Sequence, residues 1–267
     1  MFEHVLVAVD FSSAWPRLRQ RLLALRALGA QRATLAYVMS TRYPAAPQLQ
    51  HREHYEKRLA EAAEALVADG LSVDCLIETG EPGQQLVHMA QRVEADLLLL
   101  ADRGHGKVHE FLIGSTAMDA ARLTTLPLWL EPMGAEPGTG RDILLLATDG
   151  SEAARDAERW LGQLMPDYQR AVAVTACGAG TGSEQEINAA REHLETLAEK
   201  FEGLEVQVES GEPADVVVSL AHSLPADLTV VGKRGRNAMA ELLLGSTAET
   251  VCRRVQRPVL LVPAMVE

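Results

Sequence analysis

The sequence predicts an α/β protein of two tandem halves, each a mostly parallel sheet with helices on both faces. One observation is a repeat with a constant offset of 131 positions, which runs from Gly80 to Pro127 and again from Gly211 to Pro258. A constant offset indicates a duplicated folding unit. A second observation is that short apolar runs alternate with helical patterns, as in sheets covered on both faces. The aperiodic, Gly- and Pro-containing stretch 134–140 separates the copies, so we predict domains at 1–133 and 141–267.

The first half contains five apolar runs and four helical patterns. Because continuous apolar runs of this length are typical of buried strands, we predict strands at His4–Val9, Ala33–Val38, Val73–Ile77, Asp96–Ala101 and Leu126–Leu130. Leu, Ala and Arg at helical spacing, with Gly70 ending one charged segment, predict helices at Ala14–Leu28, Gln50–Ala68, Pro82–Val93 and Ser115–Leu123.

The second half repeats this order with shorter connections. Its predicted strands are Asp142–Thr148, Ala171–Ala176, Glu205–Val208, Leu228–Gly232 and Pro258–Val262. Its predicted helices are Glu152–Leu164, Glu184–Phe201, Pro213–Ser223 and Ser246–Arg254. The main difference in length is a Pro-containing loop at Tyr43–Pro47 in the first half.

Composition excludes several classes of protein. A net charge of −12 argues against a general nucleic-acid or anionic-membrane surface. The longest apolar run, Leu97–Ala101, is too short to span a bilayer. The opening residues carry an acid at Glu3 and do not resemble a signal peptide, and three cysteines without CxxC spacing suggest a reducing compartment. We therefore expect a cytoplasmic protein with no membrane or nucleic-acid partner.

Two features of each half lie where a parallel sheet binds ligands, at the carboxyl ends of its strands. One is an aspartate after the first strand, Asp10 or Asp149, and the other is a glycine loop after the fourth. A carboxylate there suits ribose hydroxyls, and amides exposed by glycines suit phosphates. Ser246 and Glu249 have the spacing of a capping box, which predicts a helix N-terminus beside the loop.

The second glycine loop resembles the ATP-binding signature of the universal stress protein family. Gly232 and Gly235 are followed after nine residues by Gly245-Ser246, and the turn at Asp149-Gly150-Ser151 is similar to the family's first strand and turn. The resemblance covers nearly the whole chain. It implies five parallel strands in the order 3-2-1-4-5 per domain, and pairing of two such domains through their last strands.

The resemblance also implies roles for individual residues. In the second half Asp149 meets the adenosine, with Gly150 in the same turn, and Ala176 lies beside the base. The phosphates are surrounded by Gly232, Gly235, Gly245, Ser246 and Thr247. Apart from the resemblance, the positive charges of Lys233 and Arg234 suit phosphate binding. The corresponding candidates in the first half, which form a weaker site, are Asp10, Val38, Gly104, Gly114, Ser115 and Thr116.

The first half departs from the pattern at three positions. Ala101 replaces the first loop glycine, which costs roughly 1 kcal/mol or more if the backbone needs a positive φ or must approach a phosphate. Asp102 stands where the second half has Lys233, so we expect it to repel a bound triphosphate. Met118 replaces the acid of the capping box. We therefore predict nucleotide binding mainly in the second half.

Simpler interpretations exist for each feature. Asp149 is also a turn former, Ser246 a plain helix cap, and Lys233 with Arg234 a solvated loop. The pairs His51/His54 and His105/His109 lack a third ligand, so we predict no metal site. Trp129 fits a core or an interface better than a stacking platform. No P-loop, nucleophile elbow or acid–base pair is evident, so at most slow ATP hydrolysis is expected.

The sequence is best interpreted as a tandem stress-response protein that binds ATP, ADP or AMP, with or without Mg²⁺. The expected partners are the nucleotide and an unidentified protein, in an internal pseudo-dimer that leaves a further homodimer open. A nucleotide-free interaction scaffold is the main alternative, favoured by the degenerate first loop and opposed by the complete second one. A dedicated ATP-consuming enzyme would need acid–base residues that the sequence lacks.

Overall fold

The computed structural model describes residues 1–41, 52–103, 113–133, 140–178, 184–235 and 244–264. These divide into two compact units, Met1–Met133 and Gly134–Glu267. The predicted loop Tyr43–Pro47, the candidate Gly104, and His51, His105 and His109 lie outside the described residues, as does most of the predicted linker.

The first unit contains a parallel five-stranded sheet in the order β3-β2-β1-β4-β5. Its strands are β1 (His4–Ala8), β2 (Arg32–Ser40), β3 (Ser72–Gly80), β4 (Leu97–Ala101) and β5 (Leu128–Glu131). Its helices are α1 (Trp15–Leu25), α2 (Arg52–Ala68), α3 (Pro82–Arg92) and α4 (Ser115–Leu123). The predicted helix Ala14–Leu28 is therefore too long, because its last three residues form a 3₁₀ turn that ends at Gly29.

The second unit repeats this topology, with the order β8-β7-β6-β9-β10. Its strands are β6 (Ile143–Ala147), β7 (Arg170–Cys177), β8 (Leu204–Ser210), β9 (Leu228–Gly232) and β10 (Val259–Val262). Its helices are α5 (Arg155–Leu164), α6 (Glu184–Lys200), α7 (Pro213–Ser223) and α8 (Ser246–Arg254). The predicted α/β class and the 3-2-1-4-5 order are confirmed in both units.

The central strands are buried along their length because helices cover both faces of each sheet. In β4 the four residues Leu97–Leu100 are buried, and in β9 all five residues are. β3, at the edge of its sheet, mixes exposed and buried positions. In each unit the order reverses between the first and fourth strands, which leaves a crevice at their carboxyl ends.

One buried charge cluster distinguishes the first unit. Glu131, at the end of β5, is 1% exposed and accepts hydrogen bonds from Arg17 Nε (3.1 Å) and Arg21 Nε (2.7 Å). The indole Nε1–H of Trp129 donates to the same carboxylate (3.1 Å), and the Arg21 guanidinium lies over the indole ring. Trp129 is thus a core residue of its unit, within a pre-formed ion-pair network. The second unit has Val262 at the position of Glu131.

Candidate functional site

The turn after β6 carries the first candidate residues. Ser151 N–H donates to Asp149 Oδ1 (3.0 Å), which fixes the carboxylate above the turn. Gly150 has φ +68°, a left-handed conformation that suits glycine. The hydroxyl of Ser151 is buried, and none of the described residues hydrogen-bonds it. In the first unit the corresponding Ser12 hydroxyl accepts from Ala14 N–H (3.1 Å). The second turn therefore has a polar atom that a ligand could satisfy.

The glycine loop is closed onto the ends of β9 and β10. Lys233 N–H donates to Val262 O (2.7 Å), and Gly245 N–H donates to Lys233 O (2.9 Å). A Cβ on Gly245 would lie 3.3 Å from Lys233 O, so a larger residue would push the two backbones apart. Residues 236–243 of the loop lie outside the described residues.

Asp149 and the glycine loop meet at the switch point between β6 and β9. A Cβ on Gly235 would collide with Asp149 Oδ2. The structure therefore brings these two candidate residues into contact, with a bare glycine backbone under the carboxylate. Ala176 is half-buried near the end of β7, and the preceding residue, Thr175, donates its hydroxyl to Thr148 O (2.9 Å).

Gly232 is constrained by packing rather than by its own conformation. Gly232 is not among the described glycines with positive φ, so of the two reasons considered for a glycine here, backbone conformation does not apply. A Cβ there would lie 3.1 Å from Arg234 O and 3.5 Å from Ala153 O. Glycine thus lets the end of β9 approach the 3₁₀ turn Glu152–Ala154 that follows the Asp149 turn.

The capping box predicted for Ser246 and Glu249 is wrong. Gly245 is the N-cap of α8, so Ser246 and Thr247 are its first two residues. Glu249 N–H donates to Gly245 O (2.8 Å), and the Glu249 carboxylate pairs with Arg253 (2.8 Å). Since first-turn amides have no partner within their helix, the N–H groups of Ser246 and Thr247 lie beside the glycine loop at the positive end of the helix dipole.

Lys233 does not belong to a solvated loop, so that simpler interpretation is wrong for this residue. It is 2% exposed, and burial, followed by the positive charge of Arg234, lowers its pKa to about 8. Arg234 and Gly235 are half-buried. The loop therefore carries a desolvated positive charge, whose interaction with an anion is stronger than that of a surface lysine.

The first unit retains the backbone frame of the site. Ser12 N–H donates to Asp10 Oδ1 (2.9 Å), and Gly114 N–H donates to Asp102 O (2.7 Å). Gly114 is the N-cap of α4, which places Ser115 and Thr116 at the start of that helix. Val38 is half-buried in β2.

The Asp102 side chain contacts the segment that follows β5 and the neighbouring Arg103. Its Oδ1 accepts a hydrogen bond from Met133 N–H (2.9 Å), and Arg103 Nε lies 3.4 Å from its Oδ2. Burial raises the pKa of this carboxyl group. Asp102 is thus hydrogen-bonded to the segment after β5, and its repulsion of a bound triphosphate stays a prediction.

The Asp10 turn is supported by an aromatic cluster that sequence reasoning missed. Phe11, at the position of Gly150, has φ +58° and lies 5.3 Å from Tyr37 between ring centroids. Tyr37 stacks on Tyr55 of α2 at 4.3 Å, and the Arg58 guanidinium lies 4.1 Å above the Phe11 ring. These contacts compensate for the left-handed backbone of Phe11, which costs a non-glycine residue about 1 kcal/mol or more.

A polar network supports the Asp149 turn, and the sequence also gave no direct signal for it. Gly150 N–H donates to Thr148 Oγ1 (3.1 Å), and Thr148 Oγ1 lies 2.6 Å from Glu158 Oε1. His193 Nε2 lies 2.8 Å from the same Glu158 oxygen. Aligning the two copies would have shown these residues to differ, since the first unit has Val9, Arg19 and Ala62 at the positions of Thr148, Glu158 and His193.

Two further properties bear on the kind of site. Within the described ranges, no three His, Cys, Asp or Glu residues come together as metal ligands would. None of the helices in that part of the chain has the length and apolar character needed to cross a membrane.

Both halves of the chain are similar to known proteins of one family. The sequence model of the universal stress protein family matches this chain twice, at residues 1–131 and 140–263. A universal stress protein of Synechocystis is 35% identical over 83 residues, which is 30% of this chain and 54% of that protein. One of Methanocaldococcus jannaschii is 35% identical over 81 residues, 30% of this chain and 47% of its own. The matches thus span about half the length of these curated relatives.

Among solved structures, a universal stress protein from Archaeoglobus fulgidus aligns over 99% of this chain and 100% of its own, with a TM-score of 0.82 and 19% identity. At this identity the similarity supports the fold of the whole chain.

Proposed function

Because the chain belongs to the universal stress protein family, we propose that it binds ATP or another adenine nucleotide, mainly in its second unit, and has a sensory or regulatory role in the cytoplasm. The observation that carries this proposal is the contact between Asp149 and Gly235 at the switch point of the second sheet. There a carboxylate, a glycine backbone and the N-terminus of α8 meet, which is the combination that ribose and phosphate groups require.

Each candidate residue has a role in this proposal. Asp149 accepts hydrogen bonds from ribose hydroxyls, and Ala176 borders the base. The bare backbones of Gly232, Gly235 and Gly245 let phosphates approach, while the first amides of α8 at Ser246 and Thr247 donate to them. Lys233 and Arg234 supply positive charge that opposes the net −12 of the chain. If Mg²⁺ accompanies the nucleotide, the phosphates provide most of its ligands, as is usual for this ion.

The role is binding rather than dedicated catalysis. General acid–base chemistry requires a titratable group within hydrogen-bond reach of the reacting atoms. The Asp149 carboxylate accepts a hydrogen bond from Ser151 N–H in its own turn, and Glu158 is held by Thr148 and His193 beneath that turn. Hydrolysis, where it occurs, is therefore expected to be slow, and the phosphate state of the nucleotide would serve as the signal.

Mass spectrometry of nucleotide released from the purified, denatured full-length protein would test the proposal directly. Calorimetric titration of the nucleotide-free protein with ATP, ADP and AMP, each with and without Mg²⁺, would then give stoichiometry and preference. One site per chain, lost in an Asp149→Ala variant and retained in Asp10→Ala, is the expected result. Loss only in Asp10→Ala would assign the nucleotide to the first unit, and binding by neither parent nor variants would contradict the proposal.

A protein-interaction scaffold that binds no nucleotide is the second candidate function, and features of the first unit favour it. Phe11 and its aromatic cluster replace the polar network under the turn, and Ala101 replaces the first loop glycine. In this alternative the first unit, or the whole chain, recruits a protein partner. Absence of any adenine nucleotide in both experiments above, with capture of one defined protein partner, would favour it.

A further inference from the structure

The Asp149 turn is connected to α6 by a chain of three hydrogen bonds. Gly150 N–H contacts Thr148 Oγ1 at 3.1 Å, Thr148 Oγ1 contacts Glu158 Oε1 at 2.6 Å, and His193 Nε2 contacts the same oxygen at 2.8 Å. Thr148 and Glu158 are buried, and His193 is half-buried. This series of hydrogen bonds thus extends from the backbone of the candidate nucleotide turn to the His193 side chain, which solvent reaches.

The direction of each hydrogen bond follows from the chemistry of the groups. The Gly150 amide can only donate, so the Thr148 hydroxyl oxygen is its acceptor. The single hydroxyl hydrogen of Thr148 is then available for Glu158, whose Oε1 must accept it. Because this oxygen also faces His193 Nε2, that ring nitrogen is the donor. Because the shared acceptor is a carboxylate oxygen, both bonds are charge-assisted, and such bonds are roughly twice as strong as neutral ones.

The His193 ring is also packed directly against the turn. A Cβ on Gly150 would lie 3.0 Å from two atoms of the ring, so a side chain at this position would require the ring to shift. A further hydrogen bond restrains Thr148, the residue before Asp149, because the Thr175 hydroxyl donates to Thr148 O (2.9 Å). The backbone that presents Asp149 is therefore restrained from α5, α6 and β7.

The first unit lacks every member of this arrangement. Val9, Arg19 and Ala62 stand at the positions of Thr148, Glu158 and His193, and Tyr37 stands at that of Thr175. The aromatic rings of Phe11, Tyr37 and Tyr55 occupy this side of the turn instead. The two copies have kept the turn and replaced its support, which indicates that the polar support serves something specific to the second unit.

We propose that His193 and Glu158, acting through Thr148, are positioning residues that set the conformation of the Asp149–Gly150 turn and thereby the nucleotide affinity of the second unit. The affinity part rests on the proposed function, whereas the effect on the turn does not. His193 contacts the Asp149–Gly150 turn from the side of α5 and α6. The glycine loop and the start of α8 instead follow β9. His193 therefore acts on the site through the turn.

Two measurements on full-length protein would separate these parts. The amide resonance of Gly150 in nucleotide-free protein reports the turn itself, and calorimetric titration with ATP reports affinity. The variants are His193→Ala, which copies Ala62, and Thr148→Val, which copies Val9 at nearly constant volume. His193→Gln restores a donor at the position of Nε2. Thr196→Ala is the matched control, since Thr196 lies one turn further along α6 and its hydroxyl donates to Glu192 O.

We expect His193→Ala and Thr148→Val to shift the Gly150 amide resonance and to weaken ATP binding by about tenfold. His193→Gln should restore both properties, and Thr196→Ala should change neither. An unmoved Gly150 resonance in both variants would overturn the proposal. A shifted resonance with unchanged ATP affinity would overturn its affinity part. If the parent protein binds no nucleotide, the proposed function fails, while the resonance still decides whether His193 and Glu158 position the turn.

Discussion

The Asp149 carboxylate lies over the α-carbon of Gly235, in the space that a Cβ would occupy at that position. This contact joins the turn after the first strand of the second unit to the loop after its fourth strand. The contact explains why position 235 of the spaced motif is a glycine, because any side chain there would displace the Asp149 carboxylate.

Replacing Gly235 with Ala should therefore move Asp149 and weaken adenine-nucleotide binding by about tenfold or more. Calorimetric titration measures the affinity, and thermal unfolding shows whether the variant still folds. Gly104→Ala is the matched change in the first unit and should leave the affinity unchanged. Equal affinities for the Gly235→Ala variant and the parent would mean that the Asp149 contact is only structural.

The double variant Gly232→Ala with Lys233→Asp copies the residues of the first loop. The new methyl group would crowd Arg234 O and Ala153 O, and the new carboxylate would reverse a nearby charge. Since a charge-assisted hydrogen bond contributes about 1.5–3 kcal/mol, binding should weaken roughly tenfold or more. A double variant that binds as tightly as the parent would exclude this loop as the phosphate site.

The reciprocal variant, Ala101→Gly with Asp102→Lys, tests the first unit. It restores the motif glycine and a positive charge, so any nucleotide binding in that unit should strengthen. It also removes the hydrogen bond from Met133 N–H to Asp102, so some loss of stability should accompany the gain. Calorimetric stoichiometry would show a second site. A stoichiometry of one site per chain with unchanged affinity would show that the support of the Asp10 turn, rather than the loop, limits the first unit.

Nucleotide affinity should fall as pH rises through about 8, where Lys233 loses its proton in the free protein. A bound phosphate favours the ammonium form, so binding is strongest below this pH and weakens by a few fold toward about pH 9.5. Titrations across this range measure the effect. A Lys233→Arg variant keeps its charge and should show a flat profile, whereas a sloping profile in that variant would assign the pH dependence to another group.

The lowered pKa of Lys233 also affects folding stability, which should rise with pH where nucleotide affinity falls. Because the pKa of Lys233 is lower in the folded state than its ordinary value of 10.5, the unfolded chain binds more protons between these two values. The free energy of unfolding should therefore rise with pH from about 8 to about 10.5 through this residue. Comparing the denaturant unfolding of the parent with that of Lys233→Met over this range isolates the contribution. A parent and variant with parallel pH profiles would contradict it.

Glu131→Ala should destabilise the protein by about 3–5 kcal/mol, because it leaves the buried guanidinium of Arg21 and the largely buried one of Arg17 without their shared carboxylate. Denaturant unfolding measures this loss. Glu56→Ala, which breaks the exposed Arg52–Glu56 pair on α2, is the control and should change stability by at most about 0.5 kcal/mol. Similar small effects of both variants would show that the Glu131 cluster contributes little to folding.

The repeat and the apolar runs were enough to predict the architecture. Strand and helix positions depend on local patterns of burial, so the strand Leu228–Gly232 and the helix Ser115–Leu123 were predicted correctly at both ends. The turn at Asp149 and the loop at Gly235 were expected to lie near each other because both follow strands that are adjacent in the parallel order. Pairing of the two units through their last strands stays a prediction, as do the nucleotide roles of the site residues.

Only the tertiary structure decided which partners the side chains around the sheet and helices contact. The sequence alone determined which residues follow each strand, because strand ends are encoded locally. It could not show that Asp102 accepts from Met133 N–H, that Gly245 caps α8, or that Glu158 links Thr148 to His193. Such contacts join residues from separate elements. Their choice of partner depends on the space and the unsatisfied polar groups that remain once the sheet and helices have packed.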